Sequence, residues 1–177
     1  GTTQSSGTVS VAELVGSDTI SGQTPSFDSP NSGTRTLGVS GYVINDGNDG
    51  RNYNVTTQTA AGAIRQAALT VAASPDSKPY DGNSASSAPV TVTGLVGTDT
   101  IPGLAQTYDS KNAGNRTLTV NGPAINDGNG GNNYVVTTQS APGTITPAAL
   151  TALLTGTVSK VYDGNNSATL TPGNYNL

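Results

Sequence analysis

The sequence predicts an all-β protein made of tandem repeats, and three observations carry that expectation. Apolar residues come in short β-branched runs that alternate with polar ones, as in Arg116-Thr117-Leu118-Thr119-Val120 and Tyr134-Val135-Val136-Thr137, which is the two-residue period of a strand with one buried face. Clusters of Gly, Asn, Asp and Pro separate these runs, and such residues favour turns. The sequence also copies itself. Gly16-Ser17-Asp18-Thr19-Ile20 returns as Gly97-Thr98-Asp99-Thr100-Ile101 at a displacement of 81, and residues 1–71 match residues 82–152 at 40 of 71 positions. Self-similarity at a fixed period marks a repeat architecture.

The same displacement carries Asn45-Asp46-Gly47-Asn48 onto Asn126-Asp127-Gly128-Asn129, and Ala67-Ala68-Leu69-Thr70 onto Ala148-Ala149-Leu150-Thr151. Beyond residue 71 it becomes 82, because Ser77-Lys78-Pro79-Tyr80-Asp81-Gly82 returns as Ser159-Lys160-Val161-Tyr162-Asp163-Gly164. One residue has been inserted in a linker, where a surface connection tolerates it. On this map residues 1–66 are a partial repeat lacking its first strand, 67–147 a complete repeat, and 148–177 the opening strands of a third. Gly1 aligns with Gly82 and Gly164, inside a repeat, so the chain is expected to be a window of a longer protein.

Within the complete unit strands are expected at 69–72 (Leu-Thr-Val-Ala), 89–93 (Pro-Val-Thr-Val-Thr), 104–108 (Leu-Ala-Gln-Thr-Tyr), 116–121 (Arg-Thr-Leu-Thr-Val-Asn), 133–138 (Asn-Tyr-Val-Val-Thr-Thr) and 143–146 (Gly-Thr-Ile-Thr). Asn121-Gly122 offers the positive φ angles of a tight turn. The Ala-rich pieces at 60–68 and 147–152 are too short for helices and run into β-branched residues. Six or seven short strands in about 80 residues point to a small immunoglobulin-like β-sandwich, although the usual Cys pair and Trp are missing. A core of Val, Ile, Leu, Ala and one or two Tyr per repeat is thin, and stacking one unit on the next would add burial.

Composition removes whole chemistries. The chain has no His, Cys, Met or Trp, so it has no Ser-His-Asp or Cys-His nucleophile system, no thiolate and no zinc, haem or iron-sulfur site of the usual ligand types. The acids are scattered on turns, each with a counterpart one repeat away, an arrangement unsuited to a single catalytic centre. The chain is therefore not expected to be an enzyme. Charged residues are only 10%, with a net charge of −4, so nucleic acid and anionic membrane surfaces are poor partners. No apolar run approaches the roughly 20 residues of a spanning helix. Gly1 opens a polar segment, so any export signal is expected outside this chain.

Three constellations invite a chemical role. Asp46-Gly47-Asn48-Asp49-Gly50 and Asp127-Gly128-Asn129-Gly130-Gly131 open like calcium loops, making Asp46, Asn48, Asp49, Asp127 and Asn129 candidate ligands. The twelfth position is Thr57 or Thr138 rather than the bidentate Glu of an EF-hand, and a turn that uses Asn and Asp to tolerate left-handed backbone is the alternative. No other cofactor is expected. Lys78, Asn133 and Asp81 have the residue types of an intramolecular isopeptide bond, a Lys and an Asn with an acid as proton shuttle. Tyr80-Asp81-Gly82, repeated as Tyr162-Asp163-Gly164, is expected to be structural. Tyr would anchor its ring in the core, Asp would bond nearby backbone, and Gly would take positive φ. Tyr53 and Tyr134 are expected as core positions at strand starts.

Ile145-Thr146-Pro147-Ala148-Ala149-Leu150-Thr151, followed by Ser159-Lys160-Val161-Tyr162-Asp163-Gly164, closely resembles the junction between YDG/MBG-type tandem repeats of bacterial filamentous-haemagglutinin-like adhesins and large exoproteins. Gly-Thr-Asp-Thr-Ile at 97–101, Asn112-Ala113-Gly114 and Asn133-Tyr134 fit the same family. Pro79 stands where the family has a branched residue, and Arg65-Gln66 where it has Thr-Pro, which weakens the expectation of a rigid junction between the first two units. The resemblance implies a secreted or surface-anchored bacterial protein, with an immunoglobulin-like fold or, as the competing view, a β-grasp-like or other small β-rich repeat.

The leading functional expectation is a stalk or fibre segment that extends an adhesive region and supports adhesion between cells or to a matrix. Its partners would be neighbouring repeats or identical chains, and a host, matrix or neighbouring-cell surface. Residues 148–163 are the counterpart of what the first unit lacks, so a second expectation is a filament joined head to tail by strand complementation. A carbohydrate-binding module is the third, and the seven Tyr and one Phe offer it few aromatic platforms.

Overall fold

A computed structural model describes residues 2–176. The protein is all-β: fourteen short strands and one 3-10 turn at Pro172–Asn174, with no α-helix among the described residues. No helix there is long and apolar enough to cross a membrane. The partial unit holds β1 (Thr19–Ser21), β2 (Thr24–Phe27), β3 (Gly33–Ser40), β4 (Val43–Asn45) and β5 (Ala60–Ile64). The complete unit holds β6 (Ala67–Ala72), β7 (Asp76–Pro79), β8 (Thr91–Thr93), β9 (Gln106–Tyr108), β10 (Gly114–Val120), β11 (Tyr134–Gln139) and β12 (Ala141–Thr146). β13 (Leu153–Leu154) and β14 (Tyr175–Asn176) pair near the C-terminus.

The complete unit has two sheets, one ordered β7-β12-β10-β9 and the other β11-β6-β8. β12 runs parallel to β7 and β11 parallel to β6, while the other pairs are antiparallel. These two parallel pairs depart from the purely antiparallel sheets of an immunoglobulin sandwich. Alternation of side chains places Leu118 and Ile145 on one inner face with Tyr108, and Leu69 and Val71 on another with Tyr134. Val120 packs against both groups and joins them. The core is as thin as the composition predicts. Gln106 is buried inside it and fully engaged: its Oε1 accepts from Ser74 N at 2.7 Å, and its Nε2 donates to Ser74 O and Ser86 Oγ at 2.8 and 2.9 Å.

All six expected strands are present. β7 was not expected, because Asp76-Ser77-Lys78-Pro79 has no apolar alternation. It forms because β12 offers an unpaired side. As the edge strand of its sheet it tolerates Pro79, which lacks an N–H. Asn121-Gly122 is not a tight turn, since neither residue has positive φ and the chain after β10 runs on to a bridge between Thr100 and Asn126.

The partial unit repeats most of this plan. Its β2-β3-β5 sheet matches β9-β10-β12, and the β1–β4 pairing of Thr19 with Asn45 matches the Thr100–Asn126 bridge. Two counterparts fail to become strands. Residues 10–12, matching β8, and 53–58, matching β11, are irregular, although Tyr53-Asn54-Val55-Thr56-Thr57-Gln58 differs from β11 at one position only. In the complete unit β6 lies between β11 and β8 and gives hydrogen bonds to both. Without a central strand neither flank has a ladder to join.

Candidate functional site

The repeated motifs become three local devices. In the loop at 127–133, Asp127 Oδ1 accepts the N–H groups of Asn129 and Gly131, both at 2.8 Å, and Oδ2 accepts that of Asn133 at 3.2 Å. Asp46 repeats this with Asn48 and Gly50 at 2.9 Å and Asn52 at 3.2 Å. Asn129 Nδ2 donates to Asn133 Oδ1 at 3.0 Å, as Asn48 does to Asn52 at 2.8 Å. The amide of Gly131 is the largest influence holding the Asp127 carboxyl below its ordinary value, and that of Gly50 does so for Asp46. Both oxygens of each aspartate are thus spent on the loop's own amides, the arrangement of a self-closed turn. Asp49 takes a φ of 54°, in the left-handed region that Asn, Asp and Gly tolerate. No group of three acidic side chains placed to hold a metal ion exists among the described residues.

The second device pins the strand that follows each loop. Tyr134 on β11 donates its hydroxyl to Asp99 Oδ2 at 2.5 Å and accepts from Val96 N at 2.9 Å. Tyr53 does the same with Asp18 at 2.7 Å and Val15 at 2.9 Å. This gives the Asp of Gly-Ser/Thr-Asp-Thr-Ile its purpose. Tyr134 is buried, as expected, whereas Tyr53 is half-buried and starts no strand. The reason is the missing central strand of the partial unit.

The third device is a lysine clamp. Lys78 Nζ reaches Asp81 Oδ1 at 2.9 Å, Asn83 Oδ1 at 2.9 Å and Asn83 O at 3.0 Å. Lys160 repeats it with Asp163 at 2.9 Å and Asn165 at 2.8 and 2.7 Å. Asp81 also accepts from Asn83 N at 3.1 Å, and Gly82 and Gly164 have φ of 80° and 77°. Asp and Gly therefore behave as expected. Tyr80 and Tyr162 do not, being 42% and 94% exposed. The core position near Tyr80 is filled instead by Tyr108 of β9, over whose ring Lys78 Nζ sits at 5.4 Å. The Tyr108 hydroxyl is buried without a hydrogen-bond partner, and burial followed by the Asp76 charge pushes its pKa up.

Lys78 and Asn133 are not brought together as an isopeptide pair. Lys78 is held in its clamp with Asp81, while the Asn133 side chain lies at the contact between the first two units. There Ser32 N donates to Asn133 Oδ1 at 2.8 Å, Asn133 Nδ2 to Asn31 Oδ1 at 3.2 Å, and Ser32 Oγ to Asn132 O at 2.6 Å. Gln66, in the connection between β5 and β6, donates to Asn132 O and Tyr134 O at 2.9 and 3.2 Å. Asn31, Ser32 and Asn132 were not singled out from the sequence. Gln66 was noted there only as a departure from Thr-Pro that weakens the junction, whereas its side chain supplies donors to Asn132 O and Tyr134 O where Pro has none. One repeat later the matching positions are Ala113 and Pro147, so the side-chain donors Ser32 Oγ and Gln66 Nε2 belong to the first junction.

Residues 65–141 match the YDG domain. The chain carries a YDG-type domain there, and the match takes in the lysine clamp, the Tyr134–Asp99 pin and the Asp127 loop. Comparison with curated proteins and with solved structures found no match.

Proposed function

We propose that this YDG-type chain is a non-catalytic segment of an extracellular stalk or fibre on a bacterial cell, extending an adhesive region of an adhesin or exoprotein. The observation that carries this is the polar junction between the first two units, where the Asp127 loop meets Asn31 and Ser32, with Asn133 as the central residue. Such a junction restricts the angle between these two units, and a restricted angle makes a joint between small domains stiff. The same contacts use amides and hydroxyls rather than charges, so salt screens them little. The Tyr–Asp pins and lysine clamps resist local fraying in each unit. Its partners on this reading are neighbouring repeats, identical chains in a fibre, and a matrix or cell surface at the tip.

Small-angle X-ray scattering tests it. An elongated particle of fixed maximum dimension is expected, and Ser32→Ala with Asn133→Ala is expected to broaden the distribution of dimensions without unfolding either unit. A compact sphere, or an unchanged profile in the double variant, would overturn the stiff-stalk reading.

A further inference from the structure

We propose that Asn121 is a site of spontaneous backbone modification, losing its side-chain nitrogen as ammonia and ageing into aspartate and isoaspartate. The site stands whether or not the chain is a stalk.

The reaction needs an asparagine followed by a residue whose amide nitrogen can reach the side-chain carbonyl carbon. Glycine is the best follower, since no Cβ hinders that approach. The sequence has two such pairs, Asn121-Gly122 and Asn129-Gly130, and the fold treats them in opposite ways. β10 ends at Val120, and residues 121–125 belong to no strand or turn. Asn121 and Gly122 are both exposed, and neither has a hydrogen-bond partner among the described residues. A Cβ on Gly122 would meet nothing within 4 Å, so the main chain has room to turn this nitrogen onto the Asn121 side chain.

Asn129 is held in the closed loop. Its N–H donates to Asp127 Oδ1 at 2.8 Å and its Nδ2 to Asn133 Oδ1 at 3.0 Å, while its carbonyl accepts from Asn132 N at 3.2 Å and from Asn132 Nδ2 at 2.7 Å. Gly131 N is tied to Asp127 Oδ1 at 2.8 Å just beyond the pair. Both sides of the reacting bond are therefore fixed, and reaction at Asn129 waits for the loop to open. In the partial unit Asn121 is matched by Ser40, which carries no amide and lies in β3 opposite Thr24.

In the first step the Gly122 amide nitrogen gives up its proton and bonds to Asn121 Cγ. The Cγ–Nδ2 bond breaks, and Nδ2 leaves with that proton as ammonia, closing a cyclic imide. Solvent water then opens the imide. Cleavage of the new bond to Cγ leaves aspartate, and cleavage of the original peptide bond leaves isoaspartate, whose main chain runs through the side chain and is one carbon longer. That extra carbon lies directly after Val120, which packs against both halves of the core. Isoaspartate therefore loosens the complete unit, whereas aspartate at this exposed position leaves it intact.

Timed incubation of the full chain in mildly alkaline buffer, followed by peptide mapping, tests the site. A mass gain of one dalton at Asn121 with matching ammonia release is expected. Asn129 is expected to react at least about tenfold more slowly, the factor that a local opening of about 1.4 kcal/mol imposes. In urea the two are expected to react alike. Asp127→Ala, which frees the loop amides, is expected to speed Asn129 and leave Asn121 unchanged. Asn121→Asp is expected to unfold at the urea concentration of fresh wild type, and aged wild type at a lower one. Asn121 intact in the folded chain while it reacts in urea, or Asn129 keeping pace with it in the folded chain, would overturn the site. Aged protein no weaker than Asn121→Asp would overturn the consequence drawn from Val120.

Discussion

Tyr134 and Asp99 are joined by a 2.5 Å hydrogen bond across 35 residues, and Tyr53 and Asp18 are joined by the same bond at 2.7 Å across the same interval. In both pairs the phenolic oxygen also accepts a backbone N–H, so one hydroxyl ties the Gly-Ser/Thr-Asp-Thr-Ile turn to the segment after the Asp loop. A repeat with a small core gains from such a tie because it fixes two loops with one buried ring.

Tyr134→Phe keeps the ring in its pocket and removes the hydroxyl from both partners. A hydrogen bond to a charged acceptor contributes about 2 kcal/mol, and that loss is expected in urea unfolding of the full chain. Tyr53→Phe is expected to cost less, since its ring is only half-buried and its flanking segment is already irregular. Equal losses at the two positions would contradict the role assigned to burial.

Stability is expected to fall in alkali. Tyr134 and Tyr108 are raised above the ordinary value of 10.0, chiefly by burial, and Tyr53 chiefly by its bond to Asp18. Between the unfolded and folded values the native state holds more protons than the unfolded chain. The stabilisation is therefore complete below pH 10 and is lost as pH rises through the folded values. Melting curves from pH 8 upward check this, and Tyr134→Phe is expected to flatten the decline.

The carboxylates set the opposite limit. Asp46 and Asp127 are lowered from 3.8 mainly by loop amides, Asp81 and Asp163 mainly by their lysines, and Asp76 mainly by Ser86. Their contribution is present above pH 3.8 and is lost as pH falls through the lower folded values. Asp127→Asn leaves one acceptor oxygen for three donors, so it is expected to lower Tm at neutral pH and to reduce the loss between pH 4 and pH 2.

Gly143 on β12 faces Tyr108 and Leu118. A Cβ there would lie 2.7 Å from Tyr108 Cε1 and 3.1 Å from Leu118 Cδ1, and both side chains are fully buried. Gly143→Ala is expected to cost about 2 kcal/mol by overpacking. Gly62 meets Phe27 at 2.6 Å in the partial unit, but that ring is only half-buried and has room to turn. Gly62→Ala is therefore expected to cost less, as parallel urea titrations would show.

Much of this was legible in the residues. The displacement of 81, the six strands of the complete unit, and the Asp and Gly roles in Tyr-Asp-Gly all follow from local pattern, because alternation, turn chemistry and repetition are written in neighbouring residues. β7 was not legible, since Asp76-Ser77-Lys78-Pro79 becomes a strand only through the side of β12 it lies against. Nor was the exposure of Tyr80: the pattern shows that an aromatic ring belongs near the clamp, and packing chose Tyr108. The junction residues escaped because Ser32 and Asn133 are 101 positions apart.

Residues 53–58 and 134–139 draw the line between the two kinds of information. Their sequences differ at one position, and both follow a loop closed by an aspartate whose bonds lie within seven residues. The amino-acid sequence determined those loops and the strand-forming character of both segments, while the two Tyr–Asp pins, each spanning 35 residues, came only with the fold. Only the tertiary structure decided that 134–139 is a strand and 53–58 is not, because a turn finds its hydrogen-bond partners in its own residues, whereas a strand must receive them from another strand, and β6 lies beside only one of the two.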